Sequence, residues 1–198
     1  MKRCLAYGVY PGFFDWPPSG LGPGGQYWNH SRYYERDRDL FRKYQPLCQA
    51  LATAGWEPVT YARSSDPNVY VERFGPASAG SPPPAAAPRP GETGAGATTG
   101  RGVGAADRDP AGVVWLTLLN EQKQALPTTL TVDAKALGLN PANLRATEIT
   151  SGQTLAAPAQ AGSVALSLTV PAEGVAVVQL GSPAAVAAWH LGQAAATV

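Results

Sequence analysis

The spacing of apolar residues changes once along this chain, and that change limits the folds open to it. From Leu40 to Ala54 they recur every three or four positions, as Leu40, Phe41, Tyr44, Leu47, Cys48, Leu51 and Ala54, while Arg36, Arg38, Asp39, Arg42, Lys43 and Gln49 fill the other side. This is the stripe of a helix with one buried face. Ser31 suits its start, Gly55 can end it in a left-handed conformation, and Pro58 forbids continuation. Pro46 removes the amide that would bond back to Arg42, so a kink is expected there. Beyond Gly55 the period becomes two. Strands are expected over 59–63, 69–74, 113–120, 128–132, 144–150, 164–170 and 175–180, with turn signals at Pro127, Asn140-Pro141, Ser151-Gly152 and Glu173-Gly174. Regular short strands with such turns predict an antiparallel β-sandwich. In Leu166-Ser167-Leu168-Thr169-Val170 the alternation is strict, giving one face to a core and one to water.

Residues 76–112 interrupt this pattern. They are almost wholly Ala, Gly, Pro, Ser and Thr, including Pro82-Pro83-Pro84, and offer no apolar face to bury. Disorder is expected, as an insertion in a hairpin loop between two strands, because loop closure costs only about 0.6 kcal/mol more per doubling of length. After Ser182 and Pro183, which can start a helix, the tail is read either as a short docked helix or as frayed.

Ahead of the helix, 5–10 reads as a short strand apolar on both faces, followed by a loop over 11–30 dense in Gly, Pro and aromatic residues. One strand and one helix cannot close a sheet, so their partners are expected in polypeptide upstream. The first residues are not read as a signal peptide, and no membrane span is read. A formal net charge of +1 with scattered basic residues leaves no electrostatic footprint for nucleic acid or an anionic membrane. Cys4 and Cys48 cannot form a metal site by themselves, and Cys48 falls on the apolar face as a buried thiol. No cofactor is called for.

Two sets of motifs add a family resemblance. Tyr7-Gly8-Val9-Tyr10-Pro11-Gly12-Phe13-Phe14, then Tyr33-Tyr34-Glu35-Arg36-Asp37-Arg38-Asp39, then Gly55-Trp56-Glu57-Pro58-Val59-Thr60 resemble the end of the catalytic barrel in bacterial glycoside-hydrolase-like proteins. Thr147-Glu148-Ile149-Thr150-Ser151-Gly152 and Val170-Pro171-Ala172-Glu173-Gly174-Val175 are similar to the last strands of the β domain behind such barrels. The resemblance implies a mainly β chain: an antiparallel β-sandwich preceded by the terminal strand-helix unit of an incomplete (β/α)₈ barrel. Residues 1–56 would be the barrel remnant, 57–181 the sandwich with its insertion, and 182–198 a tail.

In such a barrel the loop after a strand lies on the active-site face. Sugars pack C–H-rich faces on aromatic rings and satisfy their edges with polar groups, a mixture supplied here by Phe13, Phe14, Asp15, Trp16, Tyr27, Trp28 and His30. These are the candidate substrate-binding residues, with Trp16 and Trp28 foremost. Glycoside hydrolysis usually needs two carboxyl groups from different barrel strands. Glu35, Asp37 and Asp39 alternate with arginines at a helix start and read as a solvated or ion-paired helix end. No catalytic residue is therefore assigned within this chain, and its expected partners are a carbohydrate and the barrel of the same polypeptide. The alternative is a non-catalytic carbohydrate-binding or adhesion module. Trp115 and Trp56 sit in apolar patterns and are expected in the core.

Overall fold

Strands β4 (Val114–Asn120) and β10 (Val175–Gly181) are buried at every position, which a strand achieves only when both faces of its sheet are covered. Their sequences, nearly unbroken apolar runs, match that environment. In the computed structural model, which describes residues 1–10, 31–75 and 112–187, they form the centre of a six-stranded antiparallel sheet. Its order is β1 (Trp56–Glu57), β3 (Val69–Phe74), β4, β10, β6 (Arg145–Glu148) and β7 (Gln153–Leu155). A second sheet, in the order β2 (Ala62–Ser64), β5 (Leu126–Val132), β9 (Ser163–Val170) and β8 (Ala159–Gln160), lies against it. Here β5 and β9 alternate buried with less buried positions, so only one face of this sheet meets a core.

The sandwich core is built from Leu116, Leu118, Val178 and Leu180 of the larger sheet against Leu130, Val132, Leu166 and Val170 of the smaller one. A second core covers the larger sheet's outer face. There α1 (Lys2–Ala6) and α2 (Ser31–Ala54) bring Leu5, Ala6, Leu47, Cys48, Leu51 and Ala54 against Phe74, Trp115, Leu119, Val175 and Val177. Burying a leucine is worth roughly 2 kcal/mol. Docking therefore decides whether α1 forms, since five residues cannot hold a helix alone in water. As the spacing implied, α2 ends at Gly55, whose φ is +86° and whose amide donates to the Leu51 carbonyl.

The mainly β sandwich agrees with the sequence pattern, but the strand expected over 5–10 does not form. Lys2–Ala6 is helical instead. Leu5 and Ala6 are both buried against one sheet face, and adjacent strand residues would point to opposite sides. Thr117 Oγ1 donates to the Ala6 carbonyl at 2.6 Å, satisfying a helix-end acceptor. Gly8 then turns the chain at φ +60°, where a Cβ would lie 2.3 Å from the Phe74 ring. The strand expected over 59–63 also shifts. Pro58 has no amide for a ladder, and β1 and β2 instead belong to different sheets, joined by 58–61. Three edge strands escaped the periodicity, β1, β7 and β8, because two or three residues carry no readable alternation.

β3 and β4 pair antiparallel from Val69 opposite Asn120 to Phe74 opposite Trp115, so residues 76–111 connect neighbouring strands. Past β10 the Ser182 hydroxyl accepts from the Ala185 amide at the start of a helix over 183–187, in which Val186 is buried.

Candidate functional site

All seven residues expected to border a sugar, Phe13, Phe14, Asp15, Trp16, Tyr27, Trp28 and His30, lie outside the described residues. What is described is the ground on either side of them. Tyr7, Val9 and Tyr10 leave the end of α1 about half exposed, and Leu40 is similarly exposed on α2. Leu40 and Tyr44 line a cleft of about 350 Å³ with Met1, Leu5 and Val175, and Lys2 and Glu173 add charged groups to it. Two of the three acids expected at the helix start are held in ion pairs, Glu35 with Arg38 and Asp37 with Arg36, and Asp39 is exposed. Because α2 begins at Ser31, none of the three lies in its first turn.

Glycoside hydrolysis needs two carboxyl groups facing one cleft; the groove at Glu148 and the cleft at Leu40 each take in one, Glu148 and Glu173. Glu57 is paired with Arg73, whose Nη2 lies 3.2 Å from its Oε2. Glu148 is saturated. Its Oε1 accepts from the Thr150 amide (2.9 Å), the Thr150 hydroxyl (2.6 Å) and the Val177 amide (3.1 Å), while Oε2 accepts from the Ser151 amide (2.8 Å) and hydroxyl. Burial by itself would push this carboxyl up. The hydrogen bonds from Ser151, Thr150 and Val177 outweigh that and hold it below the ordinary carboxylate range.

Glu148 borders an open groove of about 590 Å³ that also takes in Ser65, Thr128, Thr129, Ser167 and Thr169. Several of these hydroxyls are engaged with one another: Thr128 Oγ1 lies 2.7 Å from Ser64 Oγ and 3.1 Å from Ser65 Oγ, and Ser65 Oγ accepts from the Thr129 amide at 2.9 Å. The groove mixes these polar groups with Pro127, Leu168 and Pro171, and its carboxylate and the paired hydroxyls are turned to internal partners. Among the described residues, no group of three or more His, Cys, Asp or Glu side chains could hold a metal ion.

The outer face of the larger sheet presents a different surface near its β1 edge. Trp115 is in the core as expected, but Trp56 is 56% exposed and Tyr70 55% exposed. Trp56 sits directly across from Phe74, so Trp56, Glu72 and Tyr70 share one face, the last two by strand alternation. The indole Nε1 donates to Glu72 Oε2 at 2.7 Å, which fixes the ring beside the carboxylate. From Tyr70 to the Phe74 position is four strand residues, roughly 13 Å. Sequence reasoning missed this group because Trp56 stands between an apolar helix end and an apparent strand. The available signal was Pro58, which confines strand structure beside it to an edge.

These residues define the chain as a mainly β protein, a two-sheet antiparallel sandwich carrying helices on one outer face. No family model matches the chain, and no curated protein matches it. Two solved structures are similar to part of it. Alpha-galactosidase I from Mortierella vinacea is 16% identical with a TM-score of 0.24, over 35% of this chain and 18% of that one. A GH27 β-L-arabinopyranosidase from Geobacillus stearothermophilus, in complex with arabinose, is 15% identical with a TM-score of 0.23, over 35% of this chain and 15% of that one. The matched part is thus less than a fifth of either enzyme.

Proposed function

We propose that the chain is the C-terminal part of a glycoside-hydrolase-related enzyme. By the motif resemblance residues 1–56 adjoin the catalytic barrel, with α1 and α2 docked on the sandwich and Trp56 in its larger sheet, and the sandwich of 57–181 is an accessory domain that stabilises that barrel. In this reading the loop carrying Phe13, Phe14, Asp15, Trp16, Tyr27, Trp28 and His30 borders the sugar cleft, and the catalytic carboxylates come from upstream polypeptide. The supporting observation is the helical layer. It is anchored to the sandwich by Leu5, Leu47 and Leu51, leaves Tyr7, Val9, Tyr10 and Leu40 exposed, and keeps Glu35 and Asp37 in ion pairs. The motif resemblance supplies the chemistry. The purified chain is expected to release no chromophore from aryl-glycosides, and turnover is expected once it is joined to an in-frame upstream barrel. Turnover by the chain alone would contradict placing catalysis upstream.

A second reading, a non-catalytic carbohydrate-binding module, draws on Trp56, Glu72 and Tyr70. An exposed indole held by a carboxylate beside a second exposed ring offers apolar faces and a hydrogen-bond acceptor together. On a glycan array this reading expects binding that weakens about tenfold in Trp56→Ala, since an aromatic contact is worth roughly 1 kcal/mol beyond its area. Binding that ignores the substitution, or none at all, removes this reading and leaves the first intact.

A further inference from the structure

A transverse row of residues crosses the outer face of the larger sheet, fixed by its register: Phe74, Trp115, Gln179, Thr147 and Thr154, one from each of β3, β4, β10, β6 and β7. The row begins aromatic and turns polar at its third member. Gln179 is 0% exposed and Thr147 only 7%, so both side chains are almost wholly withdrawn from bulk solvent. Yet neither Nε2 nor Oε1 of Gln179, nor Oγ1 of Thr147, has a hydrogen-bond partner among the described residues. Directly opposed residues on neighbouring strands have Cβ atoms about 5 Å apart, so the three unpartnered atoms share one locality.

Buried polar groups are almost always satisfied, and an unsatisfied one lowers the folded-to-unfolded ratio by about a factor of ten or more. A direct bond between the two side chains would not close the account. The Gln179 amide carries two donors and an acceptor oxygen, and Thr147 offers one donor and one acceptor. Whatever fits must both donate and accept, because an amide and a hydroxyl each present both functions. It must be small, given how little of either residue is exposed. Neither side chain is charged, so a neutral guest suits the site.

We propose that Gln179 and Thr147 together hold an ordered water molecule on the outer face of the larger sheet. The water bridges the amide to the hydroxyl, with two donors and two acceptors to spend on groups of the same kind. This site marks where the outer face passes from the aromatic contacts of Phe74 and Trp115 to the exposed edge at Thr154.

The test begins with the unaltered chain. A long-lived water should give NMR cross-relaxation to the Gln179 side-chain amide protons. Stability of Thr147→Val, Gln179→Met and the double variant then forms a cycle. A shared water predicts that each single variant lowers the folded-to-unfolded ratio about fivefold and that the double variant falls no further than the worse single one, because the same bridge is lost once. The proposal is overturned if no water signal reaches Gln179, if a crystal structure shows its amide bonded directly to Thr147, or if the single variants raise stability additively. The water signal needs no variant to fold.

Discussion

Glu148→Gln is expected to destabilise the chain by about 3 kcal/mol at neutral pH, a magnitude set by removing the charge from a buried, fully hydrogen-bonded carboxylate. The loss follows from the geometry of the turn after β6. Five donors converge on the two oxygens, three of them backbone amides that cannot turn away. Glutamine can keep an oxygen toward only one of the two sets. Its NH₂ must then face either the Ser151 amide or the Thr150 and Val177 amides, placing donor against donor. The Ser151 and Thr150 hydroxyls can rotate to accept, which is why the expected cost stops short of losing every bond. The pH dependence gives a second handle. Because the folded carboxyl is held below its ordinary value, its contribution is complete above the unfolded pKa of about 4.3 and is lost as pH falls through the lower folded value. Urea unfolding at a series of pH values is therefore expected to show a gap between the natural chain and Glu148→Gln that is widest near neutrality and narrows through the acid range. A gap independent of pH would mean that the carboxylate's charge is not what the turn uses.

The legible parts of this fold are those where one covering layer dictates one sequence pattern. β9 shows its half-covered face as strict alternation, β4 and β10 show double covering as apolar runs, and α2 shows its docked stripe from Leu47 to Ala54 and its stop at Gly55, while Leu40, expected on that stripe, is exposed. α1 was not legible. Four consecutive nonpolar residues, Cys4, Leu5, Ala6 and Tyr7, fit a buried strand as well as a docked helical turn, and the deciding contact comes from Thr117, 111 positions away. The same limit hid Glu148 and Asn120. Asn120 is fully buried because its Nδ2 reaches the carbonyls of Gln124 and Pro171 while its Oδ1 takes the Gln122 amide, pinning two turns at once. Nothing in the neighbouring residues announces a side chain with partners 51 positions away. The candidate site divides likewise. The ion-paired acids of α2 followed from local alternation of charge, whereas the Trp56 surface depended on which strand formed the sheet edge.

Arg73→Met is expected to cost about 3 kcal/mol, although methionine fills much of the same space, because it strips a buried ion pair of one partner. Arg73 is 1% exposed and is fixed from several sides: Nε donates to the Val59 carbonyl at 2.6 Å, Nη2 to Glu57 at 3.2 Å, and the guanidinium lies 5.6 Å from the centre of the Tyr61 ring. These three partners span the segment that carries the chain from one sheet to the other. Burial lowers the pKa of the guanidinium while Glu57 and Tyr61 raise it, and an arginine remains charged at neutral pH through such a shift. Tyr61 adopts a positive φ of 49°, a strained conformation for a residue with a Cβ, and its carbonyl accepts the Asp133 amide at 2.8 Å. Arg73 thus holds a strained crossover in place and, through it, the end of β5. Arg73→Lys keeps the charge but cannot present the planar fork to a carbonyl and a carboxylate together, so an intermediate loss of about 1–2 kcal/mol is expected. A cycle with Glu57→Gln separates anchoring from simple packing, and hydrogen exchange at the Asp133 amide reports the crossover directly. Loss of the anchor should show as non-additive stabilities and faster exchange at Asp133. Additive losses with Asp133 protection unchanged would assign Arg73 to packing alone, with the crossover held by its own backbone bonds.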